Sequence, residues 1–330
     1  DTPDPRGGTI VRDADGEATG MLRETARNLV DDAQRRHVAD MSPAEREALD
    51  RERVCLAGER ALKSGVTSFQ DAGERTRNFI DDIEFLKMLE SEGELPLRLY
   101  MMERGLPVEM LDDALPVLKA LPEDNDFLTV RSIKKQIDGA LGAHGAWLLE
   151  PYEDLPDSDG LVLETVEDIE ATAEHAARHG YQLNTHAIGD RAVREVLDLY
   201  ERVWDRLDID GSKLRWRIEH AQHIVPEDVP RFCELGVIAS IQAVHGTSDG
   251  PWIPTRLGEE RAEVTSQPWR DLFETGAVVT NGTDVPVERI DPIASFYASV
   301  SRRMVNGEQF YPEHVMTREE ALLTYTINNA

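Results

Sequence analysis

Lysine and cysteine are both scarce in this sequence, and each scarcity excludes a class of protein. Only six of the 36 basic residues are lysines, 64 residues are acidic, and the formal net charge is −28. A field of that sign repels a phosphate backbone, so we expect no nucleic-acid partner. The two cysteines, Cys55 and Cys233, lie far apart without metal-ligand spacing. We predict free, buried thiols, and hence a reducing, cytoplasmic compartment.

Long apolar runs are also missing. No stretch approaches the roughly 18 apolar residues of a membrane span, and no charged-then-apolar leader opens the chain, so we expect no membrane partner. The acids are scattered through every amphipathic segment instead of forming a block. At about 1 M salt the Debye length is only about 3 Å, so their mutual repulsion is screened there. The composition suggests a halophilic protein rather than a disordered one, because 40% of the residues are hydrophobic.

The repeating unit of the chain is a β-branched strand, a polar turn and an amphipathic helix, which predicts a parallel sheet. Seven strands can be placed, over Gly65–Asp71, Pro96–Glu103, Phe127–Asp138, Tyr181–His186, Leu214–Ala221, Gly236–Ala243 and Gly276–Asp284. Periodicity alone leaves open an open doubly wound sheet or an eight-stranded barrel that lacks one strand. No Gly-rich phosphate loop follows any strand, and polar residues recur at several strand ends, which favours the barrel. We predict one barrel domain over residues 1–330.

Capping motifs mark several helix starts. Ser42-Pro43-Ala44-Glu45 is a capping box with proline at the first helical position, and it predicts a long helix that stops at Gly65. Thr165-Val166-Glu167-Asp168 predicts another helix, which ends at Gly180. A third helix is predicted to begin at Thr317-Arg318-Glu319-Glu320.

Candidate catalytic residues stand at the carboxyl ends of the predicted strands. His186 and His220 each end a strand, and neutral imidazoles from adjacent strands are the commonest ligands of catalytic zinc. Asp284 ends the last strand and could take a proton from an attacking water. A structural histidine and a capping aspartate are the ordinary alternatives. Several such residues at one barrel mouth nevertheless indicate a site.

Lys134 is an unusual residue for a strand, because a buried ammonium needs a partner or must lose its charge. Alternation places Lys134 on the same face as Asp138, with Lys135 on the opposite face. A lysine converted to a carbamate would be an anionic bridging ligand.

Taken together, these segments resemble the amidohydrolase superfamily, in the branch typified by N-substituted formamide deformylase and exoenzyme regulatory proteins. The segments that carry the resemblance are Gly7-Gly8-Thr9-Ile10-Val11-Arg12-Asp13, Gly65-Val66-Thr67-Ser68, Lys134 with Asp138-Gly139-Ala140-Leu141-Gly142, His186-Ala187-Ile188-Gly189-Asp190, Arg217-Ile218-Glu219-His220-Ala221-Gln222 and Asp284-Val285-Pro286. Each is a weak motif alone, but their order and spacing are specific.

The resemblance implies a (β/α)8 barrel, of the triosephosphate isomerase type, whose rim holds one or two divalent ions, zinc or another metal. In that superfamily the ligands are a His-x-His on the first strand, a carboxylated lysine or glutamate, two histidines and an aspartate. Lys134, His186, His220 and Asp284 match the last four. None of the nine histidines forms a His-x-His pair. We therefore expect strands 2 to 8 here, without the first strand and the family's small β-sandwich.

A long loop after the seventh strand, Val244 to Arg261, resembles the family's substrate-covering loop. Its candidate substrate-binding residues are His245, Asp249, Trp252 and Arg256, although an ordinary surface loop is nearly as plausible. His223 is expected to be solvated, and Glu219 to be structural because it alternates away from His220. Any substrate role of His144 is doubtful.

These expectations predict a hydrolase for the carbon-nitrogen bond of a small amide or N-substituted formamide, with Asp284 as the proton shuttle. Two alternatives remain. The absent His-x-His permits a non-catalytic barrel protein with a regulatory or binding role, in which case this sequence is itself inactive. A metal-dependent phosphoesterase is disfavoured, because no phosphate-binding cluster is evident. The expected partner is a small-molecule substrate, with a homo-oligomer possible.

Overall fold

The computed structural model describes residues 2–5, 8–73, 79–119 and 127–329. Gly7, the first residue of one motif quoted above, lies outside them. The chain forms two compact units, Asp1–Ala57 and Gly58–Ala330. Every strand of the predicted barrel lies in the second unit, and a single domain over residues 1–330 stays a prediction.

The first unit contains an antiparallel hairpin of β1 (Gly8–Arg12) and β2 (Ala18–Glu24). The side chain of Asp13 closes the turn by accepting hydrogen bonds from the backbone amides of residues 15 and 17, and Gly16 has a φ of 84°. This hairpin was not predicted from the sequence. Its side chains are mostly exposed, so it lacks the alternation that marks a half-buried strand.

Two helices follow the hairpin, α1 (Asn28–Ala39) and α2 (Pro43–Lys63). The start of α2 confirms the predicted capping box. The Glu45 carboxylate accepts the backbone N–H of Ser42 at 2.8 Å, and the Ser42 hydroxyl accepts the N–H of Glu45 at 3.3 Å. These two bonds satisfy amides that have no partner inside the helix.

The second unit is built on seven parallel strands that pair in chain order. They are β3 (Ser68–Asp71), β4 (Arg98–Glu103), β5 (Leu128–Gln136), β6 (Gln182–Ala187), β7 (Arg217–His220), β8 (Ile238–Ile241) and β9 (Val279–Asn281). All seven predicted strands are confirmed, and they form a curled sheet that corresponds to part of a (β/α)8 barrel.

Helices alternate with these strands. They are α3 (Phe79–Ser91), α4 (Leu111–Lys119), α5 (Val166–His179), α6 (Asp190–Leu207), α7 (Val229–Leu235), α8 (Ala243–Ser248), α9 (Ile253–Leu257), α10 (Glu259–Thr265), α11 (Trp269–Thr275), α12 (Pro292–Ser301) and α13 (Arg318–Tyr325). The helix predicted to begin at Thr165 does so, because the Thr165 side chain accepts the N–H of Asp168, and it ends at Gly180 with a φ of 67°. The third predicted start is also confirmed, since Thr317 and Glu320 form a capping box.

Three hydrogen bonds show how far the sheet curls. Arg217 on β7 donates to the side chain of Gln70 on β3, four strands away. The Gln70 amide in turn donates to the carbonyl of Asn329 at 3.2 Å, and the side chain of Asn329 donates to the carbonyl of Asn281 on β9 at 3.4 Å. Residues at the end of the described chain therefore link the two edge strands.

The main core lies between the outward faces of β5–β9 and the helices that cover them. On α5, Ile169, Ala173 and Ala176 are fully buried, as the helical spacing predicts. On α6, the four apolar residues Ala192, Val196, Leu199 and Val203 are also fully buried. This packed layer holds the strands, and hence their carboxyl ends, in fixed positions.

Both cysteines are free, as predicted, but the prediction that they are buried was wrong. Cys55 on α2 and Cys233 on α7 are exposed. On α7, Val229 and Phe232 form the buried face of the helix. The adjacent Cys233 therefore faces solvent. Among the described residues, no helix is both long enough and apolar enough to cross a lipid bilayer.

Candidate metal centre and active site

The carboxyl ends of β6, β7 and β9 and the start of α8 bring four predicted site residues together. In the β6–β7 register, His186 pairs with Glu219, and Ala187 pairs with His220 one residue further along. The rings of His186 and His220 meet edge to face, with centroids 4.4 Å apart. The ring of His245 stacks beside that of His220 at 6.0 Å.

Three of these residues could share one metal ion. One potential ligand atom from each of His220, His245 and Asp284 lies within 4.8 Å of the other two. Nε2 of His245 lies 3.7 Å from Oδ2 of Asp284. His245 was predicted to bind substrate. Its position in this cluster adds it to the candidate metal ligands.

His220 reaches this cluster because the backbone departs from the strand conformation at that residue. Its φ is 75°, a left-handed value that costs energy for a residue with a Cβ. The regular alternation ends there, so Glu219 and His220 do not simply face opposite sides of the sheet. Glu219 points toward Arg217, whose guanidinium lies 2.6 Å from its carboxylate in a buried ion pair. The prediction of a structural Glu219 agrees with this contact.

The protonated nitrogen of His220 is fixed by Gln242, the residue that follows β8. Nδ1 of His220 lies 2.6 Å from Oε1 of Gln242, while Nε2 of Gln242 donates to the carbonyl of Ser240 at 3.3 Å. Because the amide oxygen of Gln242 can only accept, Nδ1 of His220 must carry the proton. Nε2 of His220 is then a lone-pair donor, which is the form that binds a metal.

The imidazoles of the cluster are neutral at physiological pH. Burial and the charges of His245 and Lys134 lower the pKa of His220 to about 3. Burial, with the charge of His220, also lowers the pKa of His186, and burial lowers that of His245. In the described structure, Nε2 of His186 and Nε2 of His245 are buried without a hydrogen-bond partner. A divalent cation would satisfy such nitrogens, so this donor set fits a metal.

Lys134 interacts electrostatically with the same cluster. Its side chain is buried and donates to the carbonyl of Lys135 at 3.0 Å. Burial, reinforced by the charge of Arg104, lowers the Lys134 pKa to about 8, although Glu219 and Asp284 oppose that shift. A larger fraction of the amine is therefore uncharged than at an exposed lysine.

Asp138, on the loop after β5, organises the backbone around His186. Its carboxylate accepts the backbone N–H groups of Trp147 at 2.9 Å, Ile188 at 3.0 Å and Gly189 at 2.8 Å. Oδ1 of Asp138 also lies 3.5 Å from Nε2 of His186. One buried carboxylate thus joins the loop after β5 to the turn between β6 and α6, and it lies beside the imidazole of His186.

The segment predicted as a loop from Val244 to Arg261 is instead folded into the short helices α8 and α9 and the first three residues of α10. Arg256 forms an ion pair with Asp154 and donates to the carbonyl of Gly142 at 3.1 Å. Its guanidinium lies 5.9 Å from the ring of Trp252. Of the four predicted substrate residues, Trp252 and Arg256 therefore pack on the loop after β5, and their contact with substrate stays a prediction.

One other prediction for this region, that of a solvated His223, was wrong. His223 was expected to be solvated but is fully buried, and its Nδ1 lies 3.2 Å from the hydroxyl of Ser266. His144 pairs with Asp154 at 3.0 Å, which agrees with the doubt about a substrate role. Glu288 was not predicted as a site residue. Its only mark in the sequence is that it is an acidic residue four positions after Asp284.

Comparisons with known proteins agree on one family. A sequence model described as "Amidohydrolase family" matches residues 1–330. The protein LONG AFTER FAR-RED 3 of Arabidopsis thaliana is 32% identical over the whole chain, and N-substituted formamide deformylase of Arthrobacter pascens is 25% identical over the whole chain. The crystal structure of an uncharacterized metal-dependent hydrolase from Pyrococcus furiosus superposes with a TM-score of 0.73 and 29% identity over 95% of the chain.

These relatives are longer than the sequence described. The chain spans 56% of the Arabidopsis protein, 59% of the deformylase and 60% of the Pyrococcus chain.

Proposed function

Because the chain belongs to the amidohydrolase family, we propose that the protein is a metal-dependent hydrolase for the carbon-nitrogen bond of a small amide or N-substituted formamide. The observation that supports this proposal most directly is the grouping of His220, His245 and Asp284 at one end of the strands, beside the ring of His186. The proposal concerns the whole protein, since the relatives are longer than this chain.

One or two divalent ions, zinc being the simplest choice, fit the neutral imidazoles and the carboxylate. His186, His220 and Asp284 would hold the metal, with His245 as a further donor and Lys134 as a ligand if it is carboxylated. Bound zinc would act as a Lewis acid toward the substrate carbonyl and lower the pKa of a water molecule to about 7. Carboxylation requires an uncharged amine, and the lowered pKa of Lys134 favours it.

Asp284 is the residue best placed to move a proton. Its side chain is 34% exposed and its Oδ2 lies 3.7 Å from Nε2 of His245. Burial raises the Asp284 pKa to about 6, which brings it closer to the range in which a carboxylate can both accept and return a proton near neutral pH. We propose that Asp284 takes a proton from the attacking water and delivers it to the leaving nitrogen.

The test uses the purified full-length protein. Its metal content is measured, and hydrolysis is assayed with small amides, N-substituted formamides and phosphate esters. We expect bound divalent metal and turnover of amides. Metal-free protein without turnover would instead support the non-catalytic alternative, and selective turnover of phosphate esters would support the phosphoesterase.

Within the same test, Asp284→Asn should lower kcat for the preferred amide by about a thousandfold, because the amide of asparagine cannot accept the proton. The melting temperature should change little, since no described hydrogen bond from the Asp284 side chain holds the fold. Asp157→Asn, at an exposed position, is the matched control. An Asp284→Asn enzyme with full activity would refute the proton-transfer assignment.

A further inference from the structure

Arg302, the residue after α12, is a cation in the interior of the second unit. It is only 1% exposed, and no carboxylate within the described ranges forms an ion pair with it. Burial lowers the pKa of Arg302 to about 9, so the group is still charged at neutral pH. A charge buried in this way is costly unless hydrogen bonds compensate it. The contacts of the guanidinium therefore show what it holds in place.

The guanidinium contacts two backbone carbonyls and two aromatic rings. Nε of Arg302 donates to the carbonyl of Phe310 at 2.5 Å, and Nη1 donates to the carbonyl of Gln267 at 2.9 Å. The guanidinium carbon lies 4.3 Å from the centre of the Trp269 ring and 5.1 Å from that of the Phe310 ring. Hydrogen bonds and cation–π contacts thus fix the guanidinium in one orientation.

The first of these contacts leads to His220. The backbone N–H of Gln267 donates to the carbonyl of Gln222 at 2.6 Å, and an isolated antiparallel bridge joins Ser266 to His223. Gln267 has a φ of 57°, a left-handed value that costs energy for a residue with a Cβ. The buried guanidinium holds the carbonyl of this strained residue. Its pairing partner lies two residues beyond the candidate metal ligand.

The backbone at the ligand is itself strained. His220 and Ala221 have φ values of 75° and 42°, and such conformations persist only where the surrounding structure holds them. On one side, the N–H of Ala221 donates to the carbonyl of Ala187 at 3.2 Å. On the other side, the carbonyl of Gln222 accepts the N–H of Gln267. Weakening the second support would let the backbone that carries the imidazole relax.

The second set of contacts leads to His245. A Cβ added at Gly246 would lie 3.2 Å from the ring of Trp269, and one added at Gly250 would lie 3.0 Å from the ring of Phe310. Glycine at these two positions lets α8 and the turn after it approach the rings closely. Because Gly246 follows His245 directly, the position of the rings affects where α8 places the imidazole.

We propose that Arg302 is a positioning residue for the metal centre, which sets both His220 and His245. It acts on His220 through the pairing of Gln267, and on His245 through the two aromatic rings. This inference rests on the proposed function, because it concerns the metal centre of the same site. A planar guanidinium suits the role, since its edge donates in several directions while its faces contact aromatic rings.

Cobalt(II) binding by the full-length protein tests the role without relying on catalysis. Co²⁺ accepts the same nitrogen and oxygen ligands as zinc, and its visible absorption reports the geometry of those ligands. Metal-free protein is titrated with Co²⁺, and the melting temperature is measured separately. For Arg302→Met we expect the Co²⁺ dissociation constant to rise by about tenfold or more, with an altered absorption spectrum.

A second variant, Arg302→Lys, keeps a cation but has a single donor nitrogen without the planar shape. It should raise the dissociation constant by an intermediate amount. If Arg302→Met does not fold, the same two measurements on Arg302→Lys decide the question.

Arg231→Met is the matched control, because Arg231 is also partly buried but contacts only acids of the outer layer. It lies 2.7 Å from Asp198 and 3.2 Å from Glu201 on α6, and 3.1 Å from Asp228 at the start of α7. This control should lower the melting temperature while keeping the wild-type Co²⁺ affinity and spectrum. The comparison separates loss of stability from loss of ligand geometry.

The positioning role and the proposed function fail in different ways. A folded Arg302→Met protein with the wild-type Co²⁺ affinity and spectrum would refute the positioning role and leave the proposed function standing. Equal changes in Co²⁺ binding for Arg302→Met and Arg231→Met would refute it as well, because any loss of stability would then suffice. A wild-type protein that binds no Co²⁺ would refute the proposed metal centre, and the positioning role with it.

Discussion

Charged side chains occur in two contrasting regions of this protein, the rim formed by the strand ends and the outer surface of α5 and α6. At the rim, Lys134 and Asp138 are buried. Burial lowers the pKa of Lys134 to about 8 and raises that of Asp138 to about 7. Each charge there opposes folding unless a specific partner compensates it.

On the outer surface, the same residue types are solvated and paired. Arg202 and Arg206 on α6 contact Glu170 and Glu174 on α5, with the arginine side chains 45% and 50% exposed. Such pairs are weakened by solvent and by salt. The comparison teaches that a charged residue in this sequence indicates function when its surroundings withdraw it from solvent, wholly or in part, and not when it is paired on an open surface.

The largest expected effect in this comparison comes from Asp138→Ala. The substitution would leave the backbone N–H groups of Trp147, Ile188 and Gly189 buried without an acceptor. At about 1–3 kcal/mol for each unsatisfied group, we expect a loss of about 4 kcal/mol in the free energy of unfolding. Urea denaturation measures it.

Asp157→Ala, at an exposed position, is the control for Asp138→Ala and should change the free energy of unfolding by less than about 0.5 kcal/mol. A loss below about 1 kcal/mol in Asp138→Ala would mean that water or a rearranged loop satisfies the three amides, and that the rim does not depend on this carboxylate.

A smaller and pH-dependent effect is expected at Glu103, a buried residue at the end of β4. Burial raises the Glu103 pKa from 4.5 to about 7, while the carboxylate accepts the N–H of Leu106 at 2.7 Å. Because the folded pKa is the higher one, stability from this residue is present below pH 4.5 and is lost as the pH rises to about 7.

Glu103→Gln keeps the acceptor for Leu106 and removes the titration. The stability of this variant relative to wild type should therefore increase by about 2 kcal/mol between about pH 5.5 and about pH 8.5. Denaturation at a series of pH values measures the difference. Glu234→Gln, at an exposed position on α7, should show no such trend. A flat difference for Glu103→Gln would show that Glu103 is ionised in the folded protein.

Much of the fold could be predicted because its signals are local. Strands with β-branched residues, capping boxes and glycine stops each act within a few residues, and the seven strands and the three predicted helix starts follow from them. The rim residues could be predicted as a group, since the carboxyl ends of parallel strands meet at one edge.

The detailed arrangement of the site could not be predicted, because it depends on contacts between distant segments. Nothing in the sequence near His220 specifies its φ of 75°, which brings the ring toward His245. His223 is buried, and its ring contacts the hydroxyl of Ser266, which is 43 residues away in the sequence. The helices of the segment after β8 are short and interrupted by proline and glycine, so periodicity could not reveal them. Halophilic adaptation, localisation and oligomeric state stay predictions.

The smallest effect should come from the outer surface, with Arg202→Gln. Arg202 donates to Glu170 at 2.9 Å, and both side chains retain contact with solvent. The substitution should lower the free energy of unfolding by less than about 1 kcal/mol in dilute buffer, and by close to zero at about 1 M salt, where the Debye length is about 3 Å. Denaturation at both salt concentrations measures this change, and Arg303→Gln, at an exposed position without a described ion pair, is the control. A loss of free energy of unfolding as large as that of Asp138→Ala, or one that persists in molar salt, would contradict the contrast between the two regions. Either result would require a solvated pair to stabilise the fold as strongly as a buried one.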